Sequence, residues 1–171
     1  VILTVQPVGM PAGGRFPYEG QDQTIIEAIK PNRYLQSDNQ EIIALARKAV
    51  GSTKDSGQAA RRIETFVADF IENKDLSVGY ASALEVARSK QGDCSEHAVL
   101  TAAMCRAVGI PAQMVTGIAY VDDWSGMHGF GGHAWVQVYI GRNAGKWVGL
   151  DAAFKGAGRG GYGAGHITLA V

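Results

Sequence analysis

The sequence predicts an α+β domain, because apolar residues recur at helical spacing up to about residue 110 and alternate with polar ones after it. Between the two regimes lies CSEHAVLTAAMCRAVGIP, which starts at Cys94 and carries Arg106 as its only charge beyond the first turn. A helix with so little polar face is expected to be buried centrally, packed on an antiparallel sheet.

Residues 1–36 read as an N-terminal strand (VILTVQPVGMP) and an irregular, Pro- and Gly-punctuated extension. Residues 37–171 read as the core of what is one domain overall. Ser37 to Glu41 is a run of N-cap candidates before Ile42, Ile43, Leu45, Ala46, Ala49 and Val50, which opens a first helix. After a polar break at Ser52–Gly57, Ile63, Phe66, Val67, Phe70 and Ile71 form a one-sided apolar stripe. Ser82-Ala83-Leu84-Glu85 has the form of a capping box, so a short helix is expected to about Ser89. The central helix stops at Gly109 and Pro111. Strands are then expected at 113–121, 133–140, 146–150 and 166–171, with the glycine-rich stretch 122–132 as a flexible loop able to act as a gate.

The charge balance narrows the partners. Sixteen basic and sixteen acidic residues cancel, and no basic stripe is visible, so nucleic acid and anionic membranes are not expected. No apolar run is long enough to span a bilayer. Two cysteines do not make a disulfide framework. Neither a C-x-x-C pair nor an H-E-x-x-H helix occurs, so no metal and no cofactor are expected. The start, without an initiator Met or a basic leader, suggests a piece of a longer protein with flanking domains.

Alone, Cys94 would be a small buried hydrophobe. Its place at a helix start changes that, since unpaired N–H groups and the helix dipole favour a thiolate there. A nucleophile needs a base, and the base needs an orienting group. His133 opens a strand beside a glycine hinge, and Asp151 ends the next strand, where pairing could bring it alongside. Cys105, mid-helix, is expected in the core. His97 shares the Cys94 helix and is poorly placed to serve its sulfur, so it is expected at the helix surface or in support. His166 is expected to be structural.

The segments GDCSEHAVLTAAMCRAVGIPAQMVTGIAYV, GGHAWVQVYI and KWVGLDAAF resemble, in order, the three motifs of the transglutaminase-like superfamily, here of bacterial type. The resemblance implies a papain-like α+β core, with Cys94 as nucleophile, His133 as base and Asp151 as the orienting carboxylate. It implies acyl transfer on an amide or peptide through a thioester, ending in hydrolysis or transamidation. Tyr80 and Gln91 are candidates for the second oxyanion donor, and Trp124, His128 and Trp135 for the substrate cleft. A protein or peptide carrying an amide is the expected partner. Relatives of this type also make a bacterial extracytoplasmic location the expected one. Many relatives follow the aspartate with Pro-Thr; here Ala152-Ala153-Phe154 follows. The competing expectation is a non-catalytic module that keeps the fold for binding or scaffolding.

Overall fold

The computed structural model describes the chain except residues 1, 3, 7, 8, 12, 74–80, 125, 126 and 142–144, and the side chains of Trp124 and Met127. Among the described residues, five helices precede the sheet: α1 (Gln23–Glu27), α2 (Gln40–Val50), α3 (Ser56–Phe70), α4 (Ala83–Ser89) and α5 (Cys94–Ala107). Strands β1 (Ala112–Trp124), β2 (Met127–Ile140) and β3 (Lys146–Leu150) follow, then helix α6 (Ala152–Gly156) and strand β4 (His166–Ala170). The four strands form one antiparallel sheet in the order β3-β2-β1-β4.

Each long helix begins where a side chain can take up its orphan N–H groups. Asn39 caps α2 through Glu41 N–H, and Asp55 caps α3 through Gln58 N–H. The expected capping box opens α4, with Glu85 accepting from the Ser82 N–H at 2.8 Å. Each such cap contributes about 1 kcal/mol. The apolar stripes of α2 and α3 meet α5, in which every residue from Glu96 to Cys105 is buried. Ala134, Val136, Val138 and Ile140 of β2 join this core, as the alternation predicts.

Several expectations need correction. Residues 122–124 and 127–132 are strand, not loop: β1 and β2 pair Ile118 with Gly132, Ala119 with Gly131, Tyr120 with Phe130 and Val121 with Gly129. Glycine weakens a strand without removing its backbone donors and acceptors, so the ladder continues through it. His133 therefore sits inside a strand, opposite Gly117, instead of beside a hinge. The extension contains α1, capped by Asp22, and the chain after Leu150 contains α6. Of the expected opening strand, Ile2 and residues 4–6 lie in no strand, and Val1, Leu3, Pro7 and Val8 fall outside the described residues.

The segment before residue 37 is tied to the rest of the fold. Arg15 bridges to Asp55, Tyr18 N–H donates to Gly109 C=O at 2.8 Å, and Leu35 is part of the core.

Candidate active site

Cys94 is the first residue of α5, and the turn that presents it is held by a buried carboxylate. Glu96 accepts from the Asp93 N–H at 3.1 Å and from the Ala81 N–H at 3.2 Å. Asp93 in turn accepts from the Ser95 N–H at 2.8 Å. Burial, followed by a hydrogen bond with Asp93, raises the pKa of Glu96. Gly92 makes this packing possible. Its φ is +149°, and a Cβ at that position would overlap the Glu96 side chain. Gly92→Ala is expected to destabilise the fold by roughly 1–3 kcal/mol. A drop in the urea midpoint checks this; an unchanged midpoint contradicts the packing argument.

Cys94 is half-buried and lines a cavity of 290 Å³. Ala119, Val121, Ala153, Phe154 and Ala157 supply apolar wall, and Arg159 lies at one side. Gly131 and Gly132 line it from β2, where an added Cβ would meet nothing within 4 Å. A second, more open groove of 770 Å³ runs along α2 and α3, but no cysteine or histidine lines it.

His133 faces the cavity with its side chain 8% exposed. Its Nε2 lies 2.7 Å from Asp151 Oδ2, and Cys94 lines the same cavity as the ring. With Nε2 committed to Asp151, Nδ1 is the nitrogen left for the thiol. Burial alone would lower the imidazole pKa. Hydrogen bonds to Asp151 and Cys94, with the charges of both, outweigh burial and raise it to about 9. Burial likewise opposes ionisation of Asp151, but hydrogen bonds from His133 and His166 prevail and hold it at about 2.

Asp151 has partners on every polar atom. Its backbone N–H donates to Glu64 at 2.8 Å, and its Oδ1 accepts from Phe154 N–H at 2.9 Å, capping α6. Its backbone carbonyl accepts from Lys155 N–H at 3.1 Å. The chain departs from Pro-Thr after the aspartate, yet this cap restrains the backbone there. Oδ2 accepts from His133 and also from His166 Nε2, at 2.8 Å. The three donor atoms lie within 4.8 Å of one another, a spacing that a divalent cation also uses. Both nitrogens already direct hydrogen bonds at Oδ2, which accounts for the cluster without an ion.

The expected site residues divide accordingly. Cys94, His133 and Asp151 come together. Trp135 does not line the cavity: it is 1% exposed, packed 6.0 Å from the His133 ring and 5.1 Å from His166. Two-residue periodicity puts it behind His133 instead of beside the cleft. His128 is exposed on β2 and Gln91 is half-buried in a bridge to Asn73; neither lines the cavity. Tyr80 and the Trp124 side chain fall outside the described residues. His97 is buried, not on a surface, with Nδ1 2.6 Å from the Asp93 carbonyl. Cys105 is fully buried, and burial pushes its thiol pKa strongly up.

Glu64 was not singled out in the sequence. It sits in the apolar stripe of α3 between Ala60, Ile63 and Val67, and a charged residue at such a position signals a buried, partnered carboxylate.

No curated protein matches the chain in sequence. Among solved structures, a Cytophaga hutchinsonii protein described as a candidate cysteine protease is 28% identical, with a TM-score of 0.67 over 88% of this chain and 47% of its own. The periplasmic domain of TgpA from Pseudomonas aeruginosa is 18% identical, with a TM-score of 0.58 over 82% of this chain and 50% of its own. At that identity the likeness is one of fold. The chain thus spans about half the length of these two structures. The family model of the transglutaminase-like superfamily matches residues 43–152, which include Cys94, His133 and Asp151. With more than half of its length matched, this chain belongs to the transglutaminase-like superfamily.

Proposed function

We propose that this domain is a cysteine-dependent acyl-transfer enzyme acting on carboxamide or peptide donors. The observation that carries the proposal is that Cys94 and His133 line one cavity while His133 Nε2 lies 2.7 Å from Asp151 Oδ2.

In this reading the Cys94 thiolate attacks the donor carbonyl carbon and forms a C–S bond, pushing the electron pair onto oxygen. The Cys94 backbone N–H, at the helix start, is one donor for that oxyanion. Tyr80 stays as a candidate for the second, whereas Gln91 does not line the cavity. Collapse breaks the C–N bond, and the His133 imidazolium passes its proton to the departing amine or ammonia. A thioester remains. Water or an amine then attacks it while His133 removes the nucleophile's proton, and the C–S bond breaks to restore the thiolate–imidazolium pair. Asp151 accepts from Nε2 throughout, fixing the ring so that Nδ1 faces the sulfur.

Hydrolysis and transamidation share the thioester and differ only in the acceptor. The periplasmic location named for the Pseudomonas domain supports an extracytoplasmic setting for this one. Among the described residues, no helix is long and apolar enough to cross a membrane.

Alkylation tests the proposal. Iodoacetamide at about pH 6 should modify Cys94 faster than a model thiol, because the His133 imidazole faces the same cavity and can take up the thiol proton. His133→Ala should slow it by about 10²-fold or more. Cys105 is an internal control, being 0% exposed. A peptide-amide donor should add its acyl mass to Cys94, and hydroxylamine should remove it. A Cys94 that reacts like a free thiol, with or without His133, would leave the scaffolding module as the better reading.

A further inference from the structure

His166 was expected to be structural, yet its Nε2 lies 2.8 Å from Asp151 Oδ2, the same oxygen that His133 engages at 2.7 Å. Both rings are withdrawn from solvent, with His166 4% exposed. An ionised carboxylate has no hydrogen to give, so His166 must carry its proton on Nε2. In the neutral ring Nδ1 is then an acceptor, and the Gly163 N–H lies 3.2 Å from it. The Gly163 carbonyl, at 3.1 Å from the same nitrogen, would accept from a doubly protonated ring.

Packing fixes the ring as firmly as its hydrogen bonds do. Tyr162 lies 4.7 Å from it, Trp135 5.1 Å and Phe154 5.2 Å, centroid to centroid. His166 opens β4, whose pairing with β1 sets Ala119 opposite it. The ring is therefore anchored on a strand separated by β1 from the one that carries the candidate base.

We propose that His166 is a positioning residue for acyl transfer, a second imidazole donor that fixes Asp151 Oδ2 and, through it, the aim of His133 at Cys94. The proposal rests on the reading of Cys94, His133 and Asp151 as a catalytic series. A carboxylate oxygen held by one donor can rotate and drop the imidazole. Held by two donors on Oδ2 and by Phe154 N–H on Oδ1, its plane is set. Sharing also divides the charge. The His166 N–H takes part of the negative potential that would otherwise act on His133 alone, so removing that donor should make His133 hold its proton more tightly.

The experiment compares His166→Leu, which keeps bulk without a donor, with His166→Gln, whose amide N–H can reach Oδ2. Rates of Cys94 alkylation and of donor turnover are measured across pH. His166→Leu should lower kcat/KM by about 10–100-fold, the usual effect of losing a group that orients a ligand. The loss should fall mainly in kcat, and the alkaline limb of the profile should move upward. His166→Gln should recover most of the rate. A Leu variant with lower thermal stability but an unchanged profile would make His166 structural only and overturn the proposal, as would equal losses in Leu and Gln variants.

Ring ¹⁵N spectra of the unsubstituted protein decide the same point without a variant, should Leu fail to fold. A slowly exchanging proton on His166 Nε2 supports the bond; a ring protonated on Nδ1 alone overturns it. Were Cys94 reactivity independent of His133, the catalytic reading would fail, and the positioning role with it. The ring spectra would then report whether the Asp151 bond exists in its own right.

Discussion

Replacing Asp151 with alanine is expected to cost about 3–5 kcal/mol of stability near pH 5.5, the cost of leaving one member of a buried pair alone. The His133 and Asp151 side chains are 8% and 1% exposed, so water screens the pair little. The substitution removes acceptors for both imidazoles and the cap of α6. The pH dependence follows from the two shifts. His133 is raised from 6.5 to about 9, so its contribution is complete below 6.5 and lost as pH rises through 9. Asp151 is lowered from 3.8 to about 2, so its contribution is complete above 3.8 and lost as pH falls through 2. The penalty of Asp151→Ala should therefore be largest between those ordinary values and shrink above pH 9. Urea unfolding of both proteins on either side of that limit measures it. An identical penalty at both pH values would mean that the ion pair contributes nothing. Donor turnover should also fall by about 10³-fold or more, because an unoriented imidazole samples the wrong geometry.

Cys94→Ser is expected to fold normally and lose turnover by at least about 10⁴-fold, as when a nucleophile is removed from a concerted set. The sulfur and oxygen differ little in size, and the cap on α5 comes from Asp93, not from residue 94. A second readout separates lost chemistry from lost structure. Cys94 is one of the groups that raise the His133 pKa, through a hydrogen bond and through its charge. A serine hydroxyl keeps at most the hydrogen bond. The His133 ring should therefore give up its proton at lower pH than in the unsubstituted protein. Titration of the ring ¹H signals checks this; an unmoved midpoint would show that Cys94 and His133 do not share charge.

The candidate series was legible because its parts obey local rules. Cys94 follows a capping aspartate, His133 lies in a period-two strand, and Asp151 directly follows the next strand, all three inside motifs of fixed order. What could not be read is what depends on long-range closure. Glycine at 129, 131 and 132 looks like a loop until Val121, Ala119 and Ile118 are set opposite it. His166 and Glu64 meet Asp151 only once β4 pairs with β1 and α3 packs under α6, and no sequence spacing encodes either approach. Trp135 is a case of the right residue given the wrong task. Its parity with His133 is visible, but that this side of the strand is covered by Tyr162 and His166 is not.

Asp151 has no polar atom left uncommitted, and its partners come from α3, α6, β2 and β4. Heat will find no loose end there to work on. Many enzymes are silenced by warming well before they melt, because the reactive groups sit on parts that soften early. In this domain, the residue that would orient the base is also where four elements meet, so inactivation should keep pace with melting instead of running ahead of it.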